Sequence, residues 1–409
     1  MERIVFHIDV NSAFLSWQAA YNKHMGYNVK DLRSIPAVVG GDEKNRRGVV
    51  LAKSEIAKKY GVRTGMSLFE ARKLCPVLVS VKPDFKIYRM YSDKLFNLLS
   101  EYSDTIERYS IDECFLDYTG SLKLFGSPEK VAYEIKERVK RELGFSVNIG
   151  ISTNKLLAKM AGDLMKPDKV ITLYPKEIEE KMFPLNISEL FMVGRKTKEK
   201  LNNLGIYTIG DLNRCSLDFL IAHFKKAQGI MLYNYSHGID ESEVSMKNEI
   251  KSIGNSTTLG KDVTNINEVK RILLSLSDSV GTRLRKNNYK GNVINVSIKN
   301  SSFYLYSHRK TLSYFTSSTN TIYEESVKLF LEFWNKDPIR LLGISVSGFD
   351  NAGINQLSLL DRKEENEKMA RVERVMDNIR LSYGKDIIKR GVPEERTQKN
   401  VMNKLDYFK

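Results

Sequence analysis

Cysteine and long apolar runs are both scarce in this chain, and each scarcity excludes a class of protein. The 409 residues include only 3 cysteines, which lie far apart and form no CxxC pair, so a disulfide framework and a zinc ribbon are both excluded. No window approaches the ~18 uninterrupted apolar residues that a membrane span needs. The segment from Met1 to Asp9 carries charge where a secretion signal would be apolar. The sequence therefore predicts a protein of the reducing cytoplasm without a membrane anchor.

Two further motifs are missing. The 5 histidines are too dispersed to form a metal cluster, and His7 is interpreted as a packed strand residue rather than a ligand. The glycine fingerprint GxGxxG does not follow the first apolar run, which argues against a doubly wound nucleotide-binding fold.

What is present indicates a globular, basic protein of several domains. Hydrophobic residues make up 42% of the chain and charged residues 28%, and 409 residues exceed the ~250 that one core usually serves. The net charge of +15 favours a polyanionic partner such as nucleic acid, although a lysine-rich surface can also serve solubility alone. The distribution favours the first reading, because nine basic residues between Lys270 and Lys310 face only one acidic residue, Asp278.

The first half alternates strands with helices. Periodicity predicts strands at 4–10 and 146–151, a hairpin around 110–113, and helices at 13–21, 85–102, 128–143 and 154–164, with a small basic insertion at 22–76. This order suits an antiparallel sheet backed by helices, in a ferredoxin-like split βαβ layout.

The second half contains three predicted regions. Residues 185–212 read as two small helices joined through glycine, which is either a grip on a phosphate backbone or an ordinary helical hairpin. Strands at 293–298 and 342–347, with helices at 267–286 and 321–335, indicate a second α+β domain. The charged tail from Asp361 is expected to be partly helical around 368–382.

Three carboxylates carry the candidate chemistry. Asp9 ends the first strand, and Asp112 and Glu113 are adjacent in the hairpin. Neighbouring side chains on a regular strand point to opposite faces, so this pair converges with Asp9 only if the backbone turns there. If they converge, they form an oxygen site suited to two Mg²⁺ ions. The alternative is one helix-capping aspartate and one solvated turn pair.

The order and spacing of three motifs resemble the signatures of Y-family DNA polymerases, with the polymerase IV type as the nearest branch. The motifs are His7 to Phe14, Ser110 to Glu113, and Gly150 to Ala161. The resemblance extends from Arg3 to about Leu360 and includes Lys251 to Thr258, Arg283 to Lys286, and Arg340 to Gly343.

The resemblance implies an α+β multidomain fold shaped as a right hand, with a ferredoxin-like palm, small fingers, a helical thumb with a helix-hairpin-helix, and an α+β little finger. The expected boundaries are 1–21 and 77–166 for the palm, 22–76 for the fingers, 167–236 for the thumb, 237–250 for a linker, 251–350 for the little finger, and 351–409 for a tail.

The resemblance also assigns site residues. It gives two Mg²⁺ ions to Asp9, Asp112 and Glu113 with help from the carbonyl of Val10. It assigns nucleotide binding to Ser12, Phe14, Lys58 and Lys159, with Phe14 beneath the sugar and Lys159 on the triphosphate. DNA binding is expected at Gly194, Lys196, Arg283, Arg285 and Lys286.

Several positions depart from the family pattern. Ala52, Glu55 and Lys58 stand where a hydroxyl, a tyrosine and an arginine are usual, so only Lys58 keeps the charge and Lys53 is a possible substitute. Asn11 and Ala13 replace an acidic and an aromatic residue, and Val193-Gly194-Arg195 replaces the commoner GIG turn.

A short apolar motif follows the last domain. It resembles the peptide with which bacterial polymerases bind the sliding clamp, because three leucines can fill an apolar pocket while a glutamine binds its rim. The motif consists of Gln356, Leu357, Ser358, Leu359 and Leu360.

The sequence as a whole is therefore identified with a low-fidelity, template-directed DNA polymerase of translesion synthesis, expected to be monomeric and to act on primer-template DNA and dNTP. A catalytically silent, polymerase-shaped DNA-binding protein of a repair complex is the alternative. A nucleotidyl cyclase is a weaker one, since the long basic C-terminal half argues against it.

Overall fold

The computed structural model describes residues 3–42, 46, 48–246, 249–350, 363–384, 387–388 and 390. The chain divides into two compact units, one of residues 1–43 and 47–248 and the other of residues 44–46 and 249–409. The division between 248 and 249 falls within the predicted linker, whereas the predicted boundaries between palm, fingers and thumb stay predictions. Every helix in the described part of the chain is too short or too polar to span a bilayer.

The first unit contains eight strands and twelve α-helices among its described residues. The strands are β1 (Val5–Val10), β2 (Ala37–Gly40), β3 (Val50–Lys53), β4 (Val79–Val81), β5 (Ile106–Arg108), β6 (Glu113–Asp117), β7 (Val147–Ser152) and β8 (Val170–Thr172). The helices are α1 (Ala13–His24), α2 (Glu55–Lys59), α3 (Leu68–Leu74), α4 (Phe85–Leu99), α5 (Leu122–Phe125), α6 (Pro128–Arg138), α7 (Lys155–Leu164), α8 (Ile178–Lys181), α9 (Arg195–Asn203), α10 (Ile209–Asn213), α11 (Leu217–Phe224) and α12 (Lys226–Ser236).

A five-stranded sheet forms the centre of this unit, in the order β5-β6-β1-β7-β8. The central strand β1 runs antiparallel to both β6 and β7, and β8 is parallel to β7. Four of the six residues of β1 are fully buried, because both faces of the strand are covered. The aromatic residues Tyr88, Tyr91 and Phe96 of α4 lie in the core beside this sheet, which confirms their interpretation as packing residues.

The insertion after α1 has its own small sheet, in the order β3-β2-β4, and its own small core. The side chain of Ala52 is buried in the core of the central sheet rather than in the insertion.

The second unit is a four-stranded sheet with helices. Its elements are β9 (Ser252–Val263), α13 (Ile266–Lys286), β10 (Gly291–Asn300), β11 (Leu305–Thr316), α14 (Thr319–Phe333), β12 (Ile339–Phe349) and α15 (Lys363–Tyr383), and the strand order is β11-β10-β12-β9. Strands β9 and β11 were not predicted. Only two of the 12 residues of β11 are buried, so the alternation of apolar and polar residues that signals a strand is absent from it.

Candidate active site

Two of the predicted carboxylates stand directly opposite each other. Asp9 at the end of β1 is the register partner of Glu113 at the start of β6. Opposed residues of an antiparallel pair project from the same face of the sheet, so both carboxylates lie on one side. Each side chain is 17% exposed, which leaves it reachable from solvent.

The third carboxylate lies in a turn, as convergence requires. Residues 110–112 bend before β6 begins, and the amide of Val10 donates to the carbonyl of Asp112 at 3.0 Å. The Ser110 hydroxyl donates to Oδ1 of Asp112 at 2.6 Å and accepts from the amide of Glu113 at 3.1 Å. This serine therefore fixes the two neighbouring carboxylates relative to each other.

The two adjacent acids of the turn have pKa values shifted in opposite directions. Burial raises the pKa of Asp112, and the negative charges of Asp9 and Glu113 raise it further, against the opposing hydrogen bond from Ser110. Burial also disfavours the ionised form of Glu113, but hydrogen bonds from His7 and Lys159 outweigh it and lower the pKa of Glu113 to about 2. Adjacent carboxylates thus have opposite shifts because only one of them has basic partners.

Two lysines neutralise part of this charge. Lys159 of α7 donates to Oε2 of Glu113 at 2.7 Å. Lys166, just beyond α7, donates to Oδ2 of Asp9 and lies 2.8 Å from Asp163. Burial opposes its charge, but the carboxylates of Asp9 and Asp163 raise the pKa of Lys166 to about 12. No group of three or more acidic, histidine or cysteine side chains among the described residues is arranged to hold a metal ion.

Sequence reasoning missed two members of this cluster. Lys166 lies seven residues after Lys159 but beyond the end of α7 and directly before Pro167, so helical spacing does not relate the two lysines. His7 is fully buried, as expected for a packed strand residue, but its Nε2 also lies 3.1 Å from Oε2 of Glu113. That contact joins residues 106 positions apart, and no local pattern reports it.

Helix α1 carries the next two predicted residues. Ser12 precedes the helix with a left-handed backbone, at φ 49°, and its carbonyl accepts from the amide of Ser16. Phe14 is partly buried and stacks on Tyr88, with ring centroids 4.7 Å apart. Because α1 begins three residues after Val10, both residues lie near Asp9 in sequence.

The predicted triphosphate residue of the insertion is exposed. Lys58 of α2 lies 3.5 Å from Glu55, and both side chains are more than half exposed. Burial and the nearby charge of Lys58 lower the pKa of Lys53. Lys53 and Lys58 of the insertion are therefore close enough for their charges to interact.

Gly194 and Lys196 lie at the start of α9. Gly194 precedes the helix with no side-chain cap, and Lys196 is exposed in its first turn. Helix α9 is followed by Gly205, whose φ of +78° suits glycine, and then by α10. This is the predicted pair of short helices joined through glycine.

The three predicted DNA-binding residues of α13 have different surroundings. Arg283 and Lys286 are exposed, and Arg283 donates to the carbonyl of Gly254 at 2.7 Å. Arg285 is instead mostly buried against α15, where it lies 2.6 Å from Asp377 and 3.2 Å from Glu373. Its guanidinium is committed to carboxylates of the same unit, so the structure does not support a phosphate contact for Arg285.

Lys310 likewise lies 2.7 Å from Glu325, so the basic stretch of 270–310 is not one uniform face. The motif from Gln356 to Leu360 lies outside the described residues.

Three family models match three separate regions of the chain. The model of the impB/mucB/samB family matches residues 8–163, and the model of its C-terminal domain matches residues 250–359. Residues 189–240 match a model described as the thumb domain of DNA polymerase iota. Together these matches cover the carboxylate cluster, α9 to α12, and the sheet of the second unit.

Full-length relatives and a solved structure give the same family. The chain is 48% identical to DNA polymerase IV of Clostridium acetobutylicum, over 98% of this chain and 100% of that protein. It is 40% identical to DNA polymerase IV of Alkaliphilus oremlandii, over 95% of this chain and 98% of the relative. A Y-family DNA polymerase chimera, Dbh-Dpo4(243-245)-Dbh, has the same fold at a TM-score of 0.75 and 24% identity, over 84% of this chain and 98% of that one. The chain therefore belongs to the impB/mucB/samB family and is a DNA-directed DNA polymerase of the Y-family, in the polymerase IV-like branch.

Proposed function

We propose that this polymerase copies damaged DNA with low fidelity, joining dNTP to a primer 3′-hydroxyl with two Mg²⁺ ions held by Asp9, Asp112 and Glu113. The observation that carries the proposal is that Asp9 and Glu113 face each other in register at one end of β1 and β6, with Asp112 in the adjoining turn and two lysines beside the pair. Polymerisation needs both charges, because carboxylates suit the metal ions and ammonium groups suit the triphosphate.

The donor set fits divalent cations of the magnesium type. The predicted ligands are carboxylate and carbonyl oxygens, which hard cations prefer. Burial raises the pKa of Asp112, and the negative charges of Asp9 and Glu113 raise it further, as expected beside an acidic site without its cations. When bound, such ions lower the pKa of the attacking hydroxyl and stabilise the leaving pyrophosphate. Asp9 and Glu113 would serve as ligands once their lysines turn to the substrate.

Lys159 and Lys166 supply the positive charge for the triphosphate in this proposal. Each now neutralises a carboxylate, and each is less than two-fifths exposed. An incoming triphosphate offers both ammonium groups a more highly charged partner. Lys58 and Lys53 of the insertion add charge from a second element.

Phe14 is proposed to select deoxyribose. Its ring is held by stacking on Tyr88 and by an edge contact with Phe85 at 5.8 Å. A ring fixed in this way beneath the sugar would clash with a 2′-hydroxyl, so selection comes from steric exclusion.

DNA is proposed to bind through backbone contacts at both units. The open N-terminus of α9, from Gly194, offers amides and Lys196 offers charge to a phosphate. In the second unit, Arg283 and Lys286 are the exposed members of the predicted set. Binding of Gln356 to Leu360 to a bacterial sliding clamp, a monomeric state and a cytoplasmic location are further parts of the proposal.

The insertion supports tolerance of damaged templates. Its strands have only three or four residues, and its helices have five and seven. Few residues can therefore close over the new base pair, and weak shape checking accepts distorted templates at the expense of accuracy.

Primer extension on matched undamaged and abasic templates tests the proposal. The wild-type chain should extend both in Mg²⁺, whereas Asp112→Ala should extend neither and still bind primer-template. DNA binding by both proteins, measured by anisotropy, controls for folding. Failure of the wild-type chain to extend any primer would favour a silent DNA-binding protein instead.

A further inference from the structure

His7 lies between three elements of the active site. On β1 it is two residues before Asp9, so both side chains are on the same face of the strand. Its ring is fully buried, its Nε2 lies 3.1 Å from Oε2 of Glu113 on β6, and the same nitrogen lies 3.4 Å from Nζ of Lys159 on α7.

The protonation state of the ring follows from its surroundings. The Nε2 atom of the fully buried ring lies within hydrogen-bonding distance of Oε2 of Glu113, at 3.1 Å. A neutral imidazole carries one proton, and an ionised carboxylate can only accept. The proton is therefore on Nε2, which donates to Glu113, and Nδ1 has no hydrogen-bond partner among the described residues.

The ring has little freedom to turn away. A Cβ at Gly162 of α7 would come within 3.1 Å of Nδ1, so the helix backbone lies directly against the ring. The Phe115 ring covers it from β6, with centroids 5.0 Å apart. The ring is thus held in one orientation by packing on its Nδ1 side and by its contact with Glu113.

His7 and Lys159 both contact the same oxygen, Oε2 of Glu113. The lysine side chain is 14% exposed and, in the proposed function, moves to the triphosphate. The histidine is enclosed and cannot follow. We propose that His7 is a positioning residue, whose Nε2–H holds Oε2 of Glu113 and so leaves Oε1 as the oxygen available to a divalent cation when Lys159 turns to the nucleotide.

Four variants of the full-length chain separate this role from packing. His7→Gln retains an amide N–H near the position of Nε2, whereas His7→Leu removes the donor at similar bulk. His7→Asn keeps an amide that is too short to reach Oε2. Ile8→Val, next on the same strand, truncates a buried side chain without changing any hydrogen bond and serves as the packing control.

The measurements are Mn²⁺ affinity by electron paramagnetic resonance of the free ion, in a complex with dideoxy-terminated primer-template and the matching dNTP, together with thermal unfolding. His7→Leu and His7→Asn should bind Mn²⁺ about 10- to 100-fold more weakly, the range found when a supporting hydrogen bond to a metal ligand is removed. His7→Gln and Ile8→Val should stay within about threefold of wild type. If His7→Leu does not fold, the Gln and Asn variants decide alone.

Unchanged Mn²⁺ affinity in folded His7→Leu or His7→Asn would overturn the inference, as would equal losses in the Gln and Asn variants. The inference rests on the proposed metal role of Glu113, so Glu113→Gln is measured alongside. Wild-type affinity in Glu113→Gln would overturn the metal assignment itself. Loss there without loss in the histidine variants would overturn only the role of His7.

Discussion

The charged cluster of the palm and the charged cluster at the C-terminal helix differ in how completely acidic groups are matched by basic ones. Around the active site, four carboxylates share two lysines and a neutral histidine, and the carboxylates are Asp9, Asp112, Glu113 and Asp163. In the second unit, three carboxylates meet three arginines: Asp278, Glu373 and Asp377 with Arg285, Arg380 and Arg390. The palm cluster therefore has more carboxylates than basic partners, whereas the cluster of the second unit has equal numbers of carboxylates and arginines.

This difference separates a site prepared for ligands from one that serves the fold. Glu373 is only 2% exposed and accepts from the amide of Thr319 at 2.8 Å as well as from two arginines. Buried charges of this kind are tolerated when every partner is present. The palm carboxylates stay partly exposed and incompletely paired, which keeps them available to cations from solution.

The largest expected effect comes from making one neutral, isosteric change in each cluster. Asp112→Asn should reduce the rate of primer extension by at least about 10²- to 10³-fold, because a charge is removed where charge develops in the reaction. Glu373→Gln should leave the rate per folded molecule unchanged and lower the free energy of unfolding by about 3 kcal/mol. That is the low end for a broken buried ion pair, because Arg285 and Arg390 keep other carboxylate partners.

Single-turnover kinetics and denaturant unfolding of both variants measure this contrast. A stable Glu373→Gln protein with slow chemistry would assign the C-terminal helix to catalysis and remove the distinction between the two clusters.

The second prediction separates two arginines that are two positions apart on α13. Arg285→Ala should lower the stability of the second unit by about 3 kcal/mol and leave the salt dependence of DNA binding unchanged. Arg283→Ala should be stable and should reduce the slope of log affinity against log salt by roughly one, as expected for one lost phosphate contact. Titrations of primer-template at several NaCl concentrations give both slopes. A flatter slope for Arg285→Ala alone would return that residue to the DNA interface.

The structure of the palm could be predicted from the sequence better than the surroundings of Arg285 on α13. Strong local periodicity located β1, β7 and α7, and the requirement for a turn correctly located Asp112 outside the strand. The ion pairs of Arg285 could not be predicted, because a run of basic residues does not specify which helix face each occupies. Asp278, Thr282 and Arg285 recur at helical spacing and face one side of α13. Their partners on α15, such as Asp377, lie more than 90 positions away and leave no local signal.

The contacts of His7 and Lys166 could not be predicted from the sequence for a related reason. Both depend on how β1, β6 and α7 pair, and that pairing joins residues more than 100 positions apart. Local patterns show which residues are charged or buried, whereas tertiary packing decides which of them meet.

The third prediction compares two lysines one helical turn apart on α7. Lys159 contacts Glu113, and Lys155 lies 2.8 Å from Glu107. Lys159→Ala should raise the KM for dNTP about 10-fold, equivalent to ~1.4 kcal/mol of a charge-assisted contact, with little change in unfolding. Lys155→Ala should lower stability and leave the KM unchanged. The same KM effect in both would mean that general charge around α7, rather than a specific contact, binds the nucleotide.

The smallest expected effect is a gain of stability from Asp112→Asn in metal-free protein. An acid whose folded pKa is raised binds more protons when folded than when unfolded, so its ionisation destabilises the fold as pH rises through that window. Burial and the charges of Asp9 and Glu113 raise the pKa of Asp112 in this way. At pH 7 the asparagine variant should therefore melt at a higher temperature than wild type. The expected gain in the free energy of unfolding is roughly 0.5–1 kcal/mol, the size of a modest stabilising change.

The advantage should shrink as pH falls and Asp112 becomes protonated in the wild type. It should also shrink when Mg²⁺ is added, because a cation beside the carboxylates stabilises only the wild-type site. Calorimetric melts between pH 4 and pH 8, with and without Mg²⁺, measure both trends. A lower melting temperature for the variant in metal-free buffer would mean that the negative charge of Asp112 already has a stabilising partner, and that the palm cluster is as complete as the one around Glu373.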